Sequence, residues 1–288
     1  MPPHIPPKVI GRLMLSKTRD EFLANGDRHG LVVEGKIDVR GETVRFNHAD
    51  LDLSIFMFEE TRFAASQFTN CGAAGVSFRR CSFRQVRFEC KGTQKRSFAN
   101  CDFSGSVFRD CYFGPATLDL AGTSFESADL QDVTFMLGRL AGVRFKDAKL
   151  KDVALRSAVL RHADFRGATL DRTSLEKADL RDADFTDATF RRMHFWGEPD
   201  YMGATITDEL RYRFGVVMQP YERLQQLLSR GVLAAPDQET ARTLLNRMSV
   251  FAGVPEGVIN YEELGSGIDL ASFVRVLKAL KNDSTFAC

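Results

Sequence analysis

Residues 161–190 read RHADFRGATLDRTSLEKADLRDADFTDATF, and in them Phe165, Leu170, Leu175, Leu180, Phe185 and Phe190 follow one another at intervals of five. Read backwards from Phe195, the interval holds for sixteen consecutive positions, all Leu or Phe, as far as Leu120. Two residues before most of them stands a small side chain, such as Ala128, Ala148, Ala163, Ala178 or Ala183. The unit is small-x-Leu/Phe-x-x. A helix repeats about every 3.6 residues and a flat strand about every two, so neither carries this pattern.

The same interval runs upstream in a second phase through Leu53, Phe58, Phe63, Phe68, Phe78, Phe83, Phe88, Phe98, Phe103, Phe108, Phe113 and Leu118, with defects at Ala73 and Thr93. Phe46, Leu51 and Phe56 form a third phase. Each change of phase equals two inserted or three deleted residues, which a bulge at a corner absorbs. If each unit is a short extended stretch plus a turn, the small and Leu/Phe positions point the same way on every unit. The chain then coils around its own apolar axis, with successive coils about 4.8 Å apart. A recurring site that accepts one large flat ring also accounts for 24 Phe against 5 Tyr and 1 Trp.

Ala128-Asp129-Leu130, Ala163-Asp164-Phe165, Ala178-Asp179-Leu180 and Ala183-Asp184-Phe185 resemble the A-D/N-L-x-x consensus of the pentapeptide-repeat family. The resemblance spans roughly residues 44 to 195. It implies a mainly β fold, a right-handed quadrilateral β-helix with four pentapeptides and 20 residues per coil, here about seven coils and about 34 Å long. The expected organisation is a tail and short capping helix over 1–30, the β-helix over 31–200, and an α-helical cap or bundle over 201–288. Leu31 to Val39 reads as the strand that begins the stack. In the last segment, Thr205 and Asp208 suggest a capping box ahead of a helix through Ile206, Leu210, Phe214 and Val217. Further helices are expected from Pro220 through Leu228, from Asp237 through Phe251, and from Asp269 through Leu280.

The 288 residues carry 39 Lys+Arg and 38 Asp+Glu, a net charge of +1 that predicts no bulk attraction to nucleic acid or membrane. No apolar run approaches the roughly 20 residues of a membrane span, and no signal-peptide pattern opens the chain, so a cytoplasmic protein is expected. Six cysteines are too dilute for a disulfide scaffold. Cys71, Cys81, Cys101 and Cys111 all fall at the small inward position and read as packing residues, with Cys81 and Cys101 expected one above the other. Cys90 and Cys288 lie off the pattern, and Cys288 is expected to be reactive. His4, His29, His48, His162 and His194 show no ligand spacing and read as surface residues. No Walker loop, G-x-G-x-x-G or G-x-S-x-G is present, and neither a cofactor nor a metal is expected.

The strongest charge feature is Arg79, Arg80, Arg84, Arg87, Lys91, Lys95 and Arg96, the candidate partner-binding residues. With Thr93 as a defect, residues 89–97 read as an extruded loop on one coil. Some family members protect or inhibit type II topoisomerases such as DNA gyrase by presenting an acidic rod that mimics duplex DNA, so the resemblance implies that alternative. Such mimicry needs a strongly negative face. Residues 51–200 hold 22 basic and 21 acidic side chains, and Lys146 is expected above Arg166 and Arg161 above Arg181. The leading expectation is a non-catalytic scaffold that binds an unidentified protein partner through the β-helix surface, with topoisomerase protection as the alternative and an enzyme in the C-terminal helices as a third reading. The apolar stripes of those helices suggest a homodimer through residues 201–288.

Overall fold

The computed structural model describes residues 5–90, 97–114, 117–135, 137–191, 204–205, 214–218, 220–251, 256–260, 264–265 and 267–282. They form two compact units, one drawn from Met1–His194 and Pro199–Thr205, the other from Phe195–Glu198 and Ile206–Cys288. The first is a parallel β-solenoid, about seven turns long, with four faces.

Each pentapeptide contributes one short extended piece and one corner. At many corners a carbonyl accepts from the amide three residues on, as from Phe58 to Thr61 and from Phe125 to Ala128. The third residue of such a turn has positive φ, +61° at Glu60 and +55° at Ser127, the geometry of a type II turn. Glycine holds that position at Gly122 and Gly167, where an added Cβ would also collide with Asn100 and Asp147 of the preceding coil. Between coils, amide and carbonyl groups pair in parallel register, so the main chain is satisfied by the coils above and below.

The centres of the pentapeptides build four columns along the axis. The first face stacks Phe63, Phe83, Phe108, Leu130, Leu150, Leu170 and Phe190. The second stacks Phe68, Phe88, Phe113 and Phe135 before continuing in leucine. The third is mostly leucine. The fourth is phenylalanine throughout, from Phe58 through Phe78, Phe103, Phe125, Phe145 and Phe165 to Phe185, with near-parallel rings whose centroids are 4.7–5.3 Å apart. That spacing is the coil spacing itself, so a flat ring fills one layer without a gap; this is the physical origin of the phenylalanine excess.

The small inward position does a second job. Thr61 Oγ1, Ser106 Oγ and Thr123 Oγ1 donate to the carbonyls of Val39, Phe78 and Phe98 in the preceding coil, at 2.7–2.9 Å. Cys81 and Cys101 direct their thiols in the same way, to the carbonyls of Phe58 and Ala73.

The N-terminal end differs from the expected single helix and single strand. Helices α1 (Pro7–Leu13) and α2 (Arg19–Arg28) precede a hairpin of Val32–Val33 and Lys36–Asp38. Glu34 and Gly35 both take positive φ, 49° and 72°, which a two-residue hairpin turn requires and a continuous strand forbids. Lys36–Asp38 then pairs in parallel with Phe56–Met57 and leads into the solenoid. Phe22 of α2 sits edge-on to Phe56 and His48, at 5.2 and 5.0 Å, so this end of the axis is covered. His48 is therefore half-buried between Phe22 and Phe46 rather than a surface residue.

In the second unit, α3 (Pro220–Arg230), α4 (Ala235–Arg247) and α5 (Leu270–Asn282) share a core of Leu224, Leu227, Ala241, Leu244, Met248, Phe273, Leu277 and Leu280. Asp237 of α4 holds Arg275 of α5 through both carboxylate oxygens, at 2.9–3.1 Å. The helix expected through Phe214 and Val217 is instead a strand, Phe214–Met218, antiparallel to Glu256–Asn260; residues 206–213 lie outside the described residues. The apolar stripes of α3 and α5 bury against one another in this shared core. No described helix is long and apolar enough to cross a membrane.

Candidate functional site

Between the first strands, which pair at 19 residues, and the last described bridge, Asp184 with Thr205 at 21, the register between coils is broken by two insertions. Gln67 pairs with Arg87 at an interval of 20 residues, but Ser82 pairs with Val107 and Arg87 with Tyr112 at an interval of 25. The five additional residues enter between Cys90 and Ser97, where the sequence places its loop; Lys91, Thr93, Lys95 and Arg96 lie outside the described residues. Val107 then pairs with Asp129 at 22, the two additional residues entering between Gly114 and Leu118, before Asp129 pairs with Lys149 at 20 again. Both insertions fall at the corner that leads out of the second face.

The longer coil redistributes the expected stacking. Cys81 lies against Ser106, whose Oγ accepts from its amide, and not against Cys101, because the extra pentapeptide leaves Cys101 in register with Val76, one corner earlier. The cysteines are packing residues. Burial pushes the Cys81 and Cys101 thiols up to about 12 and the Cys111 thiol up to about 11. Cys90 is buried as well, and Cys288 lies outside the described residues.

The candidate cations do not form one patch. Arg79 is on the fourth face, 3.6 Å from Asp102, and Arg80 at the next corner, 2.7 Å from Glu60. Arg84 points outward from the first face, where no ion pair is formed with it among the described residues. Arg87 is on the second face, paired with Glu89. The four residues form a collar around one coil.

Two further residues join Arg84 and Arg87 across the long coil. Arg109 is the register partner of Arg84, and Tyr112 that of Arg87. The Arg87 guanidinium lies over the Tyr112 ring, 4.7 Å from its centroid. Glu89 fixes the same guanidinium and also accepts from Gln67, at 3.1 Å. Every described phenylalanine of this unit is buried, so Tyr112 is the one described Phe, Tyr or Trp ring that reaches its outer surface. Arg109 and Tyr112 escaped the sequence reading because a 20-residue coil places neither beside Arg84 or Arg87; Thr93 was the signal that the interval is longer there.

Elsewhere several outward arginines pair with carboxylates. Arg144 meets Glu126 at 2.9 Å, Arg166 meets Asp164 at 2.6 Å, and Arg172 chelates Asp152. The Arg166 hydrogen bond holds the Asp164 carboxyl below its usual range. Lys146 precedes Arg166 and Arg161 precedes Arg181 in adjacent coils, as the 20-residue register requires. A cavity of about 350 Å³ near the N-terminal hairpin is lined by Lys36, Arg40, Ser54, Glu59 and Ser77 among others, but Arg40 is held by Asp38 and Ser77 by Glu59.

Residues 116–185 match the family model of the pentapeptide repeat region. That part of the solenoid is a pentapeptide repeat region. No curated protein matches the chain at a significant level. Similar solved structures include HetL, a pentapeptide repeat protein involved in heterocyst differentiation regulation from the cyanobacterium Nostoc, at 15% identity and a TM-score of 0.34, covering 67% of this chain and 98% of that one. Full-length QnrB1, a plasmid-mediated fluoroquinolone resistance protein, aligns at 14% identity and a TM-score of 0.19, covering 68% and 97%. A pentapeptide repeat protein of the cyanobacterium Cyanothece aligns at 11% and 0.15, covering 57% and 90%. Within the pentapeptide-repeat solenoid, the family match begins below the long coil that carries Arg84 and Arg87.

Proposed function

We propose that the pentapeptide-repeat solenoid is a non-catalytic scaffold that holds a protein partner on its surface, at the junction of the first and second faces. The observation that carries this reading is the Arg87–Tyr112 contact at the start of the second face, whose far corner carries insertions in two adjacent coils. A stacked coil accommodates extra residues only where the chain can leave and rejoin without breaking the hydrogen bonds between layers, and loops on rigid scaffolds are where binding concentrates. Tyr and Arg are the side chains that most often dominate protein interfaces, because each offers a large, stiff contact area with polar groups at its end.

The alternative, topoisomerase protection by DNA mimicry, draws less support. Many acidic side chains on the outside of the solenoid are paired with arginines, and the column of Asp110, Asp132 and Asp152 ends in the next coil at Arg172, which holds Asp152.

The test is a photo-crosslinking side chain at position 112, with position 159 on the third face as control, in cells that make the full chain. The expected result is a discrete adduct from 112, absent from 159 and lost on Arg87→Ala. Equal adducts from both positions, or none from 112, overturn the reading. A gyrase supercoiling assay separates the alternative: protection or inhibition that survives Arg87→Ala and Tyr112→Ala favours the topoisomerase.

A further inference from the structure

We infer that the partner segment held at this corner is acidic, an extended stretch of Asp and Glu side chains; the inference rests on the scaffold reading above. Arg84 and Arg109 are direct neighbours on adjacent parallel strands, about 4.8 Å apart along the axis. Like charges opposed in a sheet repel. Arg109 turns away toward the next coil, donating through Nη2 to Asp129 Oδ2 at 2.7 Å and through Nη1 to the carbonyls of Phe108 and Asp129. Arg84 has no such outlet and remains an exposed cation. One coil above, Arg62 pairs with Ser82 in register and donates only to neutral oxygens, Thr43 Oγ1 and Gly41 O. Around the corner, Arg87 is held flat on Tyr112.

Arg62, Arg84 and Arg87 thus present three guanidiniums from two coils: Arg87 lies over Tyr112 and pairs with Glu89, while Arg62 and Arg84 have no carboxylate partner among the described residues. Alternate side chains of an extended strand are about 6.8 Å apart, within the reach of long arginines set one coil apart. Carboxylates at those positions accept from the arginines in the forked geometry that suits them.

The same surface disfavours nucleic acid. Asp110, Asp132 and Asp152 occupy one corner in three consecutive coils, with φ of 54–55°, and border the basic patch on its far side. A duplex carries one charge per about 1.7 Å and would run from the arginines onto this column. A short acidic segment ends before it.

Fluorescence anisotropy with the full chain tests the inference, using a labelled decapeptide of alternating Glu and Ser, its Lys-Ser counterpart, and single- and double-stranded DNA. Binding of the Glu-Ser peptide is expected, weakened about tenfold by Arg84→Ala or Arg87→Ala, unchanged by Arg161→Ala on the third face, and falling steeply from about 50 to about 300 mM salt. Circular dichroism checks that each exposed substitution leaves the fold intact. Equal or tighter binding of the Lys-Ser peptide or of DNA, indifference to Arg84→Ala and Arg87→Ala, or no binding of the acidic peptide overturns it. If the acidic peptide fails while the position-112 adduct persists, the acidic segment is wrong and the scaffold stands; loss of both removes the scaffold as well.

Discussion

Replacing Phe125 by Ala removes one ring from the middle of the seven-phenylalanine column. Phe125 is fully buried, stacked 5.2 Å from Phe103 and 5.3 Å from Phe145, and edge-on to Phe113 and Phe135 at 5.9 and 5.6 Å. The truncation exposes no new surface but forfeits about 100 Å² of ring burial, worth about 2.5 kcal/mol at ~25 cal/mol per Å². It also leaves a cavity of about 90 Å³, a further 2 kcal/mol or so at ~24 cal/mol per Å³. Collapse is restricted because inter-coil hydrogen bonds hold Phe103 and Phe145 at their heights, as from Phe103 N to Ser124 O and from Phe125 N to Arg144 O. The loss is therefore about 4–5 kcal/mol. Cys101 reports it locally: its thiol is buried in the adjacent coil, and labelling requires that part of the stack to open. Under native conditions with fast reclosing, the labelling rate should rise about a thousandfold, one decade per ~1.4 kcal/mol. A rise below about threefold, together with an unchanged urea midpoint, would mean that the column does not hold the solenoid together.

Burial lowers the pKa of His48 from its ordinary value of about 6.5, against the opposing effect of a hydrogen bond with the Met14 backbone. The unfolded chain then takes the proton first, so His48 contributes stability that is complete above about 6.5 and is lost as the pH falls through that value toward the folded pKa. Thermal melts should show this slope and His48→Gln should flatten it; equal slopes would refute the assignment. Deleting residues 91–95 removes one whole pentapeptide and should leave the far-ultraviolet spectrum and the protection of Cys81 and Cys101 intact, whereas deleting Val86–Phe88 from within the second face should damage both; the opposite order would contradict the register between these coils. Since α3 and α5 share one core, light scattering at micromolar concentration should give the 32.3 kDa of one chain, and twice that mass would restore self-association through residues 201–288.

The five-residue period named the core almost completely. Phe165, Leu170 and Phe185, taken from spacing alone, are all buried, because a coil that closes every four units can put only one kind of position on its axis. The corners were legible for the same reason, since each follows its Leu or Phe at a constant distance. Spacing said nothing of the Glu34–Gly35 turn, and it misassigned Phe214 to Val217, where alternate apolar residues satisfy a helix and a strand alike until Glu256–Asn260 supplies hydrogen-bond partners from far along the chain.

What the sequence determined by itself is therefore local: which side chain of each pentapeptide turns inward, and where the rhythm slips. What the tertiary structure decided is which coils are neighbours. A defect such as Thr93 leaves open whether its pentapeptide joins the stack or leaves it, and the choice moves every contact across that coil by five residues. Only the closing of hydrogen bonds between Ser82–Arg84 and Val107–Arg109 settles it, and with it the pairing of Arg84 with Arg109, of Arg87 with Tyr112 and of Cys81 with Ser106. The candidate site depends on those non-local pairings, which have no signature in a repeat whose units are read one at a time.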